Sequence, residues 1–349
     1  MYVTAARLAA KTGNNVQVDG QPELIPLGTA ADGGPLVVRL PLEAMDPAIT
    51  SIQPGGGVCM QIELAWGRLR RWYLKVFRRR YVARMRERRK GDENGCPFVP
   101  LDPRDTKFFR NQGGYYWDER DDPFAWRGRL PFARCGLAEL LLLAGGAFVL
   151  SGVLVWLYAP VAWVPALVGF FFLWFFRDPK RIPPSGAGQV VAPADGLVVA
   201  VEEVEFDPFI GGPAVVIGIF LSIFNVHVNR SPTAARVIGL SYLPGKFLNA
   251  LRPASARENE QMVVRLEENE PPYRRMIVRQ IAGAIARRIV CRVRPGDELQ
   301  RGGQFGMIKL GSRTELVLPR EPGLSVEVRK GQKVRAGLSL MARYETVRR

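Results

Sequence analysis

Between Leu137 and Phe176 nearly forty residues carry one charge, Glu139. Residues 137–158 read LAELLLLAGGAFVLSGVLVWLY. At 1.5 Å per residue a helix of that length covers ~33 Å, enough to cross a bilayer core. After Ala159-Pro160 a second run, VAWVPALVGFFFLWFF, occupies residues 161–176. As a helix it reaches only ~24 Å. Such a stretch is either a membrane helical hairpin or a helical pair buried in a soluble domain, and so little charge over so great a length favours the membrane. Pro160, Pro165 and the short second run leave spanning and re-entrant forms open. Arg127, Arg129 and Arg134 precede the pair, Arg177, Lys180 and Arg181 follow it, and the turn has no basic residue. This predicts both ends on the cytoplasmic side of the cell membrane, with Trp156, Tyr158 and Trp163 at the far interface.

The chain of 349 residues has a formal net charge of +16, which points to a polyanionic partner. Twelve Lys/Arg against one acid, Glu87, fall between Arg68 and Lys90. Ile62, Ala65, Trp66, Leu69, Trp72, Tyr73, Val76 and Phe77 recur there at helical spacing, predicting one basic amphipathic helix over 60–90. It suits either an anionic lipid surface or a helix packed on its own domain with a solvated basic face. No nucleic-acid motif accompanies the charge, so no nucleic acid is expected as partner. Residues 1–59 show no assignable fold, and 91–134 read as a loop-rich connector. Cys59, Cys96, Cys135 and Cys291 have neither CxxC nor metal-ligand spacing and read as free thiols. No signal peptide is expected, since no long apolar core follows the first basic residues.

From about residue 186 short β-rich runs alternate with Gly and Pro turns. The expected class is α+β, with an N-terminal region (1–134), a membrane hairpin (135–176) and a mainly β C-terminal domain (177–349). A pattern V-R-x-G-[DQ]-x-[LV]-x-x-G recurs at 293–302 and 328–337. The first glycine of each copy suits a turn of positive φ flanked by strands. The repeat is similar to the hairpins of lipoyl- and biotinyl-type domains, but neither copy has the lysine that would carry such a cofactor.

Three segments bear chemistry. Ala192-Pro193-Ala194-Asp195-Gly196 is, alone, a turn signal. Asn225-Val226-His227-Val228-Asn229-Arg230 holds the chain's only histidine, in an apolar run where a lone histidine is more often a core residue than a catalyst. Phe305-Gly306-Met307-Ile308-Lys309-Leu310-Gly311-Ser312-Arg313 ends in a common loop pair. Their order, with Phe175-Phe176-Arg177-Asp178-Pro179, Leu243-Pro244-Gly245, Glu258-Asn259-Glu260 and Gln280-Ile281-Ala282-Gly283, closely resembles the phosphatidylserine decarboxylase family over about half the chain. Arg313 stands where the long bacterial enzymes of that family have threonine, which resembles its shorter branch. That branch includes enzymes of phosphatidylserine or, in archaea, archaetidylserine.

The resemblance implies a proenzyme that cuts itself between Gly311 and Ser312. Ser312 would be the nucleophile, His227 its base and Asp195 the group that orients His227. Ser312 would become a covalent pyruvoyl cofactor on the small chain, residues 312–349, with residues 1–311 as the large chain. A Schiff base between that group and phosphatidylserine, the anionic phospholipid substrate, would lead to phosphatidylethanolamine, with His227 as proton donor. A homodimer is left open. Two other readings are a non-enzymatic, membrane-tethered β module and a serine hydrolase using Asp195, His227 and Ser312 uncut; the latter lacks the G-x-S-x-G elbow.

Overall fold

A computed structural model describes residues 39–49, 51–87, 124–284, 288–309 and 311–345. Most of the N-terminal region and connector, with Cys96, lies outside them. The basic segment forms two helices, α1 (Val58–Phe77) and α2 (Arg79–Glu87), where the periodicity predicts one. The break falls at Arg78, whose φ of −123° and ψ of 44° leave the helical region. α1 turns Leu74 and Arg70 inward and leaves much of its predicted apolar stripe exposed, including Leu69, Trp72, Tyr73 and Phe77. The apolar stretch folds as α3 (Leu137–Tyr158), one turn of 3₁₀ helix over Ala159–Val161, and α4 (Trp163–Phe175). Gly169 gives Phe148 room between the two helices, and Phe148 meets Phe170 edge-on at 5.2 Å. The helix containing α3 is long and apolar enough to cross a membrane; α4 is shorter. Outward-facing positions such as Val149, Val155 and Trp156 are exposed along it.

Beyond α4 the chain is β-rich, so the class is α+β. Its strands begin with β1 (Gln189–Val191), β2 (Gly196–Asp207), β3 (Gly212–Leu221), β4 (Val228–Arg230) and β5 (Ala235–Leu243). Then follow β6 (Gln261–Glu268), β7 (Arg275–Ile281), β8 (Arg288–Cys291), β9 (Glu298–Leu299) and β10 (Gln304–Lys309). The last are β11 (Ser312–Pro319), β12 (Leu324–Val326), β13 (Lys333–Val334) and β14 (Leu340–Tyr344). An eight-stranded sheet runs β13-β2-β3-β11-β7-β6-β5-β9, beside two three-stranded sheets, β4-β10-β8 and β1-β14-β12. β11 pairs antiparallel with β3 and β7 and every one of its residues is buried. Its apolar face, Leu316 and Leu318, joins a core with Ile217, Ile219, Val264 and Val278. Each such fully buried side chain contributes about 1.5–3 kcal/mol of transfer free energy.

The repeat docks twice in the same way. Gly296 and Gly331 have φ of 94° and 90°, as their turns require. Gly296 N donates to Val237 O and Gly331 N to Val198 O, each at 2.8 Å. The short strands that follow pair with β5 and β2, at opposite edges of the large sheet, rather than closing hairpins on themselves. The turns thus have the positive φ expected of the repeat's glycines, and the strands after them join the large sheet. Residues 39–49, unreadable in the sequence, form a strap along β5 and β6, and Ile52 O accepts Cys291 N of β8. Leu40 N reaches Glu267 Oε2 (2.7 Å), Glu43 N reaches Ile238 O (2.9 Å), and Ile49 and Ile52 are wholly buried.

Candidate active site

β10 and β11 belong to different sheets, and the link between them carries Gly311–Ser312. Gly311 has φ of 66°, the left-handed region that a side chain disfavours. Ser312 starts β11 opposite Leu221 and is fully buried, and its Oγ has no hydrogen-bond partner among the described residues. A buried hydroxyl left unpaired costs about 1–3 kcal/mol, so its retention points to chemistry rather than stability. Arg313, next along β11, is neutralised within the sheet. Its Nε donates to Glu315 Oε1 at 2.9 Å, and its guanidinium lies over Gly218, where a Cβ would crowd it.

His227 lies at the entry to β4, with its carbonyl accepting Ile308 N at 3.2 Å from β10. The ring is buried and packs on Phe175, with centroids 4.5 Å apart. Its Nδ1 is 2.8 Å from Asn225 O. A carbonyl only accepts, so Nδ1 carries the proton and Nε2 presents a lone pair. Nε2, like Ser312 Oγ, has no hydrogen-bond partner among the described residues. Burial pushes the His227 pKa down to about 4, the Asn225 carbonyl opposing it, with Arg177 lowering and Asp195 raising it further. The ring is thus a neutral base at neutral pH. Asn225 is itself set by a tight turn: its Oδ1 accepts Ser222 N (2.9 Å) and Oγ (2.7 Å).

Asp195 does not hydrogen-bond His227. Its carboxylate takes Arg181 through both oxygens, Nη2 to Oδ2 at 2.8 Å, and accepts Ala336 N at 2.8 Å. The direct orienter of the imidazole is the Asn225 carbonyl, and Asp195 reaches His227 only through its field. Arg181 is thereby occupied, and Arg177 is bound to the Trp174 and Phe224 carbonyls; Lys180 stays exposed. The other motifs converge here too. Arg230 pairs with Asp178 at 2.8 Å, and a buried chain runs from Gln280 Nε2 to Asn229 Oδ1 (2.9 Å) and from Asn229 Nδ2 to Thr314 Oγ1 (3.2 Å). Asn259 Nδ2 holds Ala282 O at 2.7 Å.

Sequence reasoning missed the ion pair between Lys309, two residues before Gly311, and Glu139 of α3, both deeply buried. Each is the lone charge of an apolar run, which is the signal that would have found them. Cys135 and Cys291, two of the cysteines read as thiols, are buried. A cavity of about 280 Å³ opens beside Gly311, lined by Phe220, Ser222, Ile223, Asn249, Leu251 and Ala284 among others.

Residues 168–342 match the family model described as phosphatidylserine decarboxylase. A phosphatidylserine decarboxylase proenzyme of Rhodopirellula baltica is 52% identical over 239 residues, 68% of this chain and 99% of that protein. Proenzymes of the same name from Nitratidesulfovibrio vulgaris (46%, covering 52% of this chain and 83% of theirs) and Nitrosomonas eutropha (44%, 57% and 90%) are similar. An α+β protein with a buried serine, a buried histidine and relatives named as proenzymes falls in a class made as precursors. The chain belongs to the phosphatidylserine decarboxylase family.

Proposed function

We propose that this chain is a proenzyme that cuts itself between Gly311 and Ser312 and then decarboxylates phosphatidylserine to phosphatidylethanolamine. The observation that carries the reading is a matched pair of orphans: Ser312 Oγ, a buried donor, and His227 Nε2, a buried acceptor. His227 Nε2 takes the Oγ proton and Oγ attacks the Gly311 carbonyl carbon. The Gly311–Ser312 C–N bond breaks, the proton passes to the freed amine, and an ester results. Loss of the Ser312 Cα proton and cleavage of Cβ–Oγ release the Gly311 carboxylate. Hydrolysis of the remaining dehydroalanine yields ammonia and a pyruvoyl group.

That group supplies the electron sink for decarboxylation. The chain's part is to bury the site, to hold the headgroup in the cavity beside Gly311, and to return a proton from His227. The small chain stays in place after the cut, because β11 is clasped by β3 and β7, β13 pairs with β2 and β14 pairs with β1, all four partners belonging to the large chain. Intact mass of the purified protein is expected to show residues 1–311 and 312–349 as separate chains. A chain uncut under all conditions sinks the proposal.

Asp195 acts here as an electrostatic support. Asp195→Asn keeps an acceptor for Ala336 N but loses the charge that raises His227 basicity. Time courses of precursor conversion are expected to slow about tenfold, the effect of roughly 1.4 kcal/mol on a barrier. Complete loss would instead indicate direct orientation of His227.

The α3–α4 hairpin is proposed to sit in the cell membrane with the β domain on the cytoplasmic side, and α1–α2 to lie on anionic headgroups. The exposed Leu69, Trp72 and Phe77 support this, since a helix packed on its own domain would bury them. Proteoliposomes containing phosphatidylglycerol are expected to protect α1–α2 from trypsin, and pure phosphatidylcholine vesicles to leave it cut. Equal protection in both would refute electrostatic docking.

A further inference from the structure

We infer that Gly283 is a positioning residue for self-cleavage, seating the scissile carbonyl by having no side chain. The inference rests on the reading that the chain cuts at Gly311–Ser312. β7 and β11 pair antiparallel with Ile281 opposite Arg313. Two residues further along both strands, Gly283 falls against Gly311. A methyl group built on Gly283 would stand 2.8 Å from Gly311 C and 3.4 Å from Ser312 N, and nearer still to Gly311 O. No rotation relieves this, because a Cβ is placed by the backbone and its neighbours here are backbone atoms.

The segment cannot easily retreat either. Ala282 N donates to Glu260 O at 2.9 Å, and Ala282 O is held by Asn259 Nδ2 at 2.7 Å. Asn259 is buried and fastened at both ends of its amide, Oδ1 to Leu248 N and Nδ2 to Leu248 O, each at 2.8 Å. β7 thus delivers a clamped, side-chain-free stretch of backbone onto the peptide that must break. Gly311, at φ 66°, turns its carbonyl into that space. The acyl shift requires Oγ to bond the Gly311 carbon as the C–N bond to Ser312 breaks and the hydroxyl proton moves to the amine. A displacement of the carbonyl by an ångström removes that alignment.

The test compares wild type and Gly283→Ala as full-length protein, following precursor conversion by denaturing electrophoresis with and without hydroxylamine, which cleaves the ester but not the amide. Folding is read separately by melting both sequences in the Ser312→Ala background, where neither can cut. Conversion of Gly283→Ala at least a hundredfold slower than wild type, not hastened by hydroxylamine, with melting within a few degrees of its parent, is the expected result. Conversion within threefold of wild type overturns the inference. So does release of the small chain by hydroxylamine, since the ester would then form without the glycine. If Gly283→Ala does not fold, Asn259→Ala decides: it frees the Ala282 carbonyl and is expected to cut at least tenfold slower, and a wild-type rate there overturns the inference. An uncut wild-type chain would sink the self-cleavage reading itself, and this inference with it.

Discussion

Ser312→Ala is expected to remain a single 349-residue chain with no decarboxylase activity, while the wild type resolves into two chains. The loss is total because no other side chain supplies the oxygen that attacks Gly311 or the Cβ–Oγ bond that later breaks. The variant is also expected to fold. Ser312 Oγ makes no hydrogen bond among the described residues, so its removal breaks none there, and a buried unsatisfied hydroxyl is replaced by a methyl group. Thermal melting of Ser312→Ala against another uncut variant, such as His227→Gln, checks this: the alanine protein should melt no lower. This separates lost chemistry from lost structure, which electrophoresis alone cannot do. It also discriminates the hydrolase alternative, in which the wild type stays whole and Ser312 is labelled by a fluorophosphonate.

The sequence carried the class and the chemistry-bearing segments because both depend on local pattern. The apolar run from Leu137, with Glu139 as its one charge, is long enough to be read as helical, and the short β-branched runs after residue 186 become strands. The glycines at 296 and 331 announced their turns, since only positive φ explains a glycine at the same place in both copies. What the pattern could not reach was set by pairing between distant segments. The strands that follow the repeat's glycines pair with β5 and β2, distant in sequence, and so cover edges that would otherwise stay open. The stop at Arg78 has no breaker residue to announce it. Asp195 and His227 sit in motifs that invite a triad, but Arg181, fourteen residues upstream of Asp195, claims its carboxylate with a bidentate charge-assisted pair. A backbone carbonyl, Asn225 O, takes the orienting place, and sequence has no letter for a carbonyl.

His227→Gln is expected to stop self-cleavage as fully as the serine variant. The glutamine amide can still donate to Asn225 O, so the local turn has a partner, but it has no lone pair basic enough to take the Ser312 proton. The pH dependence of the wild type then identifies the base. His227 is held near pKa 4, below its ordinary 6.5, chiefly by desolvation, so its neutral form dominates above about pH 4. Precursor conversion is expected to be flat between pH 6 and 8 and to fall only as the pH approaches 4. A fall beginning near 6.5 would mean that the ring titrates as if in water, and the buried-base reading would fail. Stability moves with the same group. Its folded pKa is depressed, so the unfolded chain binds the proton more tightly, and native stability present above 6.5 declines as the pH falls towards 4. The decline attributable to this residue is at most about 3 kcal/mol. Ser312→Ala melted at pH 7 and 4 should show it, and Ser312→Ala/His227→Gln should lack it. Both proteins are uncut, so the difference isolates the imidazole. The fold thus holds its only histidine as a neutral base by burying it, at the cost of stability in acid.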